Sequence, residues 1–238
     1  MIHHDIPSPM TVSKTLARAI AITSLILASC SRYCPGHFTP EEKALIRGAK
    51  VPMRVLTVED SLDLAVLRNI SRDIPHRVLL SEDYSRLCSL MVGTVTHPSQ
   101  DGVGIAGPQV GLNRRIVAVQ RFDKTGEPFE LYPNIRIVWA SDSVALGSEG
   151  CLSVPDKRAE VLRSQEIIIE YDEVVGYGTR SGGIANEGYG QGFTGRPGKG
   201  IQHAVKTVRD TVRGFTAVIF QHETDHLEGI LYTDRIEP

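Results

Sequence analysis

Two histidines four residues apart, His222 and His226, enclose Glu223 in an H-E-x-x-H motif near the end of the chain. On a helix this spacing puts both imidazoles on one face, one above the other. Two ring nitrogens on one face can hold a metal ion, and Glu223 beside them is placed to move a proton. Apolar residues 215–220 before the motif and Gly229 after it indicate a buried helix that ends near the glycine. The alternative is an ordinary helix with two hydrogen-bonded histidines and a surface glutamate.

A catalytic site of this kind needs a third protein ligand, and Cys151 in the segment E-G-C-L-S is the obvious donor. A thiolate beside two imidazoles is a good ligand set for zinc or ferrous iron. The alternative is a buried thiol that packs as a small hydrophobic side chain. Residues 102–111 are glycine-rich, so their backbone can approach a strand or a substrate closely. They do not form a nucleotide loop, because no Lys-Ser or Lys-Thr follows and the third glycine is misplaced for a dinucleotide site.

Together these segments resemble the three signature motifs of the peptide deformylases, G-x-G-x-A-A-P-Q, E-G-C-L-S and Q-H-E-x-D-H-L-x-G. The order and rough spacing also match, and the resemblance runs from about Val55 to the end of the chain. It implies that Cys151, His222 and His226 bind one metal ion per chain. The resemblance implies Fe(II) as the native ion, with zinc, nickel or cobalt as substitutes, and Glu223 as the general acid–base.

The same resemblance implies roles for residues around the metal. Gln109 and the backbone N–H of Leu152 would form the oxyanion site, and Gly104 would line the substrate groove. Arg158 matches an arginine near the substrate backbone in related enzymes, although a solvated surface arginine is an equal alternative. The family pattern has a second alanine where this chain has Gly107. We expect that loss of a methyl group to loosen the backbone and widen the groove, changing efficiency or preference but not abolishing function.

These residue types suit the hydrolysis of a formyl amide, which needs a nucleophile, an oxyanion stabiliser and a proton for the departing nitrogen. A bound divalent metal lowers the pKa of its water and so supplies hydroxide. Glu223 would accept the proton of that water and return it to the amine. Gln109 and Leu152 would stabilise the charge on the formyl oxygen by roughly 3 kcal/mol per donor. The expected substrate is a formylated methionyl peptide or nascent chain.

Two other functions stay open. A metallopeptidase or other amide hydrolase could use the same metal site, but metallopeptidases usually take their third ligand downstream, and only nine residues follow Gly229. A non-catalytic relative could bind formylated or N-terminal methionine peptides at the envelope, although such a binder needs no general base. Nucleic acid is not an expected partner, because the net charge is -2 and the isoelectric point is near 6.4. The chain has four cysteines, too few to imply a disulfide framework.

An apolar run of about ten residues, 19–28, follows Lys14 and Arg18. It is too short to cross a bilayer as a mature helix but has the length of the apolar region of a signal peptide. It ends in L-A-S-C at Cys30, which resembles a bacterial lipobox whose cysteine is lipidated. We therefore expect residues 1–30 to be a lipoprotein signal segment, with membrane contact only through a lipid on Cys30 and a location at the cell envelope. A buried N-terminal helix in a cytoplasmic protein is the alternative.

The remaining chain must position these residues. Residues 31–53 are polar and proline-containing, which predicts a tether before one catalytic domain over 54–238. A helix is predicted from Ser81 to about Thr96. Strands are predicted over residues 115–120, 129–139, 159–171 and 205–213. The glycine-rich residues 176–200 are predicted to be a surface insertion, with substrate contact as the alternative. The predicted fold class is α+β, with antiparallel strands packed around a central helix carrying H-E-x-x-H, plus an N-terminal helix.

Overall fold

The computed structural model describes residues 36–100, 102–178 and 201–236, so Cys30 and the predicted signal segment lie outside the described residues. Its helices are α1 (Pro40–Gly48), α2 (Ser61–Leu67), α3 (His76–Leu79), α4 (Glu82–Val95) and α5 (Gly214–Leu227). Its strands are β1 (Gly104–Ala106), β2 (Ile116–Gln120), β3 (Phe129–Pro133), β4 (Arg136–Ala140), β5 (Val144–Cys151), β6 (Val154–Ser164), β7 (Glu166–Gly178) and β8 (Ile201–Arg213). In this part of the chain no helix is both long and apolar enough to span a bilayer.

The described strands form three antiparallel sheets, ordered β1-β2-β3, β4-β7-β8 and β5-β6. Strands β7 and β8 are long partners whose register runs from Glu166 opposite Arg213 to Gly178 opposite Ile201. The predicted start of the insertion at residue 176 was therefore wrong by three residues, because backbone pairing continues through the first glycines. Residues 179–200, the rest of the predicted insertion, lie outside the described residues.

Two of the predicted strands are each divided between sheets. Residues 129–139 form β3, which pairs with β2, and β4, which pairs with β7. The break falls at Asn134, whose φ of 58° is a left-handed conformation that asparagine tolerates. Residues 159–171 are likewise divided at Gln165, because β6 pairs with β5 while β7 pairs with β4.

The predicted tether is folded from Gly36 onward, so that part of the prediction was wrong. Thr39 and Glu42 form a reciprocal capping box with bonds of 2.7 Å and 3.2 Å, which starts α1. Ile46 on α1 is 0% exposed, and Met53 is 4% exposed in the same core cluster. The segment was predicted to be a tether because most of its residues are polar. It nevertheless contains a short amphipathic helix, whose few apolar side chains pack into the core.

Helices α4 and α5 lie where the sequence predicts them. Ser81 caps α4, its hydroxyl accepting from the Tyr84 N–H at 3.2 Å. Helix α5 packs against β1 and β2 and is buried along most of its second half. It is the C-terminal rather than the central helix of the chain, and the α+β class is confirmed.

Candidate metal centre

The centre is built from α5 and the end of β5. His222 and His226 lie one turn apart on α5, with ring centroids 5.1 Å apart, and His226 is 1% exposed. Cys151 ends β5, and its Sγ lies 3.2 Å from His226 Nε2. One atom from each of these residues lies within 4.8 Å of the other two. Thiolate sulfur and two imidazole nitrogens at this separation fit a first-row divalent metal such as iron or zinc.

Glu149 orients the first histidine. The His222 Nδ1–H donates to Glu149 Oε2 at 2.8 Å, which leaves Nε2 free to face Cys151 and the centre. Arg163 donates to both oxygens of Glu149, at 2.7 Å and 3.0 Å, and to Asp225 Oδ2 at 2.7 Å. Arg235 holds the other oxygen of Asp225 at 2.6 Å. A chain of charged groups therefore fixes the imidazole and ties the metal helix to β5 and β6.

Sequence reasoning missed this chain of charges. Glu149 stands inside the second motif, two residues before Cys151, so the two side chains share one face of β5. Asp225 stands inside the third motif, on a helix whose second half is mostly buried. A buried carboxylate needs a hydrogen-bond donor or a positive charge beside it, so these two residues already indicated that a partner must exist. The partner Arg163 becomes apparent only when β6 is paired with β5.

The charges shift the titration of this cluster. Burial works to raise the pKa of Glu149, but the hydrogen bonds from His222 and Arg163 outweigh it and lower that pKa to about 2. Burial lowers the pKa of His226 well below its usual value. The lowered pKa favours the neutral imidazole, which is the form that binds a metal ion.

Gln109 points its amide group at the centre. Its Oε1 accepts from the Ala106 N–H at 2.8 Å, and its Nε2 donates to Ser153 Oγ at 3.2 Å and to Cys151 Sγ at 3.5 Å. The side chain is only 1% exposed and is held at both ends. It therefore presents an N–H donor next to the thiol without rearrangement, which suits stabilisation of an oxyanion.

Glu223 lies against Gly104 of β1. A Cβ placed on Gly104 would lie 2.4 Å from Glu223 Oε1, so a larger residue there would force the carboxyl to move. Glu223 Oε2 is buried without a hydrogen-bond partner among the described residues. Burial raises the pKa of this carboxyl to about 7, and the nearby Glu149 adds to the effect. A carboxyl with this pKa can both accept and donate a proton near neutral pH.

A cavity of about 600 Å³ opens above these residues. The predicted residues that line it are Gly104, Gln109, Cys151, Leu152, Arg158, His222 and Glu223. His226 is the one predicted site residue that does not line the cavity, because its side chain is buried in the protein. Phe215, Val218 and Ile219 of α5 add an apolar wall that sequence reasoning did not assign. Arg158 is exposed, lines the cavity and lies beside Gly150.

Gly107 does not line the cavity; a Cβ there would lie 2.6 Å from the Arg114 carbonyl oxygen and 2.7 Å from that of Leu112. The glycine thus lets the chain pack closely next to Gln109. The expected effect of Gly107 on the width of the groove stays a prediction.

Comparisons with known proteins agree with this site. A family model of polypeptide deformylases matches residues 52–179 and 199–238, and the gap falls inside the predicted insertion. Peptide deformylase 2 of Gloeobacter violaceus is 30% identical over 190 residues, which cover 79% of this chain and 81% of that protein. A peptide deformylase of Thermotoga neapolitana is 31% identical over 157 residues, which cover 66% and 74% respectively.

Solved structures give the same result. The Met-Ala-Ser-bound class I type b peptide deformylase from Acinetobacter baumannii matches with a TM-score of 0.57 at 29% identity, over 79% of this chain and 100% of that one. The peptide deformylase from Thermotoga maritima matches with a TM-score of 0.57 at 27% identity, again over 79% and 100%. With the family model covering most of its described residues, the chain belongs to the polypeptide deformylase family and is a deformylase.

Proposed function

We propose that this deformylase removes the N-formyl group from N-formylmethionyl peptides, using one ferrous ion per chain held by Cys151, His222 and His226. The observation behind the proposal is that their three ligand atoms lie within 4.8 Å of one another, beside a buried acid and a fixed amide. The Met-Ala-Ser peptide bound to the Acinetobacter baumannii relative supports a substrate that begins with methionine.

A divalent metal in this ligand set supplies a Lewis acid that brings the pKa of water towards neutrality. The thiolate leaves less positive charge on the ion than a third imidazole would. Zinc, nickel and cobalt suit the same donors and are proposed substitutes for iron.

In the proposed mechanism Glu223 takes the proton of the attacking water and returns it to the departing amine, for which its raised pKa is suited. The Gln109 amide and the Leu152 N–H stabilise the negative charge that develops on the formyl oxygen. Gly104 lines the cavity and leaves room for the Glu223 carboxyl against β1. Arg158, which is exposed and lines the cavity, is placed to donate to carbonyl groups of the peptide.

The test is an assay on protein purified without oxygen, with its metal content measured. We expect iron at one per chain, rapid hydrolysis of formyl-Met peptides and little hydrolysis of acetyl-Met peptides. Comparable rates on both peptides would indicate a general amide hydrolase. Peptide binding without turnover would indicate a non-catalytic relative.

We also propose that the enzyme is held at the cell envelope by a lipid on Cys30, with a cytoplasmic location as the alternative. The L-A-S-C sequence after an apolar run of signal-peptide length supports this proposal. Such a location changes which formylated peptides the enzyme meets, but it uses the same active site.

A further inference from the structure

Strands β5 and β6 form a two-stranded ribbon with one buried and one exposed face. Residues that pair across an antiparallel ribbon lie on the same face, and alternate pairs share that face. The exposed face is made by the pairs Gly150–Arg158, Ser148–Glu160, Leu146–Leu162 and Val144–Ser164. The opposite face carries Glu149, Val161 and Arg163, which are buried.

The exposed face begins in the catalytic cavity. Gly150, Arg158 and Ser148 all line that cavity. Two residues further along the ribbon the face becomes apolar, where Leu146 is 67% exposed and its partner Leu162 is 42% exposed. Val144, next on the same face, is 47% exposed. We call Val144, Leu146 and Leu162 the ribbon patch.

The spacing matches an extended peptide. Leu146 is four residues from Gly150, or about 13 Å at roughly 3.3 Å per strand residue. A substrate whose formyl group lies at the metal centre and whose chain follows the ribbon would cover that length with about four residues of its own.

We propose that the ribbon patch binds an apolar side chain of the substrate about four to five residues after the formylated methionine. This proposal rests on the proposed function, and it names a peptide class: formylated chains with an apolar residue at that distance. The polar pair Ser148–Glu160 lies between Gly150 and the patch along the ribbon, so the intervening substrate residues need not be apolar.

The substrate is a better occupant than a second copy of the chain. The patch is continuous with the cavity through a single ribbon face. Its three side chains expose far less than the roughly 800 Å² per partner that a stable protein interface buries. A single apolar side chain, in contrast, is covered well by two leucines and a valine.

The test compares three substrates: formyl-Met-Ala-Ser, formyl-Met-Ala-Ser-Ser-Leu-Leu and formyl-Met-Ala-Ser-Ser-Ser-Ser. For the unmodified enzyme we expect kcat/KM on the leucine hexapeptide to exceed that on the serine hexapeptide about tenfold, as burial of part of a leucine side chain gives. Leu146→Ser with Leu162→Ser should remove this preference and leave the rate on the tripeptide unchanged. Each single substitution should remove part of it.

Leu62→Ser is the matched control, since Leu62 on α2 is 78% exposed and does not line the cavity. It should keep the preference. Equal rates of the unmodified enzyme on the two hexapeptides, or a preference that survives the double substitution, would overturn the proposal. So would a double variant that changes only the sedimentation coefficient, because the occupant would then be a second copy. Failure to deformylate any of the three peptides would instead count against the proposed function.

Discussion

Glu223 is the residue at which the proposed metal binding and the proposed turnover can be tested separately. Glu223→Gln keeps the shape of the side chain and all three ligands but cannot accept a proton. We expect kcat to fall at least about 10²-fold while the metal content and most of the peptide affinity remain. Steady-state kinetics with metal analysis check this, with Glu59→Gln on the surface as control. Near-normal turnover would mean that another group handles the proton.

Arg163 is the residue that neutralises two buried carboxylates at once. Arg163→Met removes the guanidinium and leaves Glu149 and Asp225 buried without it. The free energy of unfolding should fall by about 3–5 kcal/mol, measured by urea titration. Arg209→Met removes an exposed pair with Glu170 and should cost less than about 1 kcal/mol. Similar decreases in the free energy of unfolding for the two variants would show that the buried ion pairs of Arg163 contribute no more to stability than the exposed pair of Arg209.

At the level of elements, β1 and α5 touch through Gly104. Gly104→Ala places a methyl group 2.4 Å from Glu223 Oε1, so the carboxyl must move. A displacement of about 1 Å can lower turnover by up to about 10²-fold. We expect a fall in kcat with the metal retained. Gly48→Ala, where a Cβ meets nothing within 4 Å, is the control and should leave kcat unchanged.

Helix α1 gives a test of the corrected boundary. Ile46→Ala should lower the free energy of unfolding by about 2–5 kcal/mol, because the side chain is 0% exposed. Its neighbour Leu45 is 37% exposed, so Leu45→Ala should cost much less. Two equally small effects in urea titrations would restore the interpretation of this segment as a tether.

The elements that were predicted correctly are those specified by nearby residues. Helix α4 follows from the Ser81 cap and its apolar period, and the metal helix from its own motif. The break between β3 and β4 was missed because Asn134 is held by the Ile74 N–H at 2.7 Å, sixty residues away in the chain. The Glu149–Arg163 pair was missed for the same reason, since it depends on strand register. Local sequence patterns therefore identified the candidate ligands. The residues that hold those ligands in place could not be identified in this way, because they depend on pairing between distant segments.

For the whole molecule, the proposed lipobox at Cys30 leads to a prediction about location. If Cys30 carries a lipid, the protein should fractionate with membranes, and Cys30→Ala should leave a precursor that keeps residues 1–30. A multiply acylated cysteine buries enough CH₂ groups to hold firmly. Cell fractionation with mass spectrometry of the N-terminus measures both. Wholly soluble protein with an intact N-terminus would refute the envelope location and leave the deformylase function unaffected.

Folding from Gly36 onward removes residues 36–53 from the predicted tether. A lipid on Cys30 would confine the enzyme to the membrane surface. Such confinement raises the effective concentration of peptides on the same surface and gives no advantage for peptides in bulk solution. The output of an anchored enzyme would then scale with membrane area rather than with cell volume.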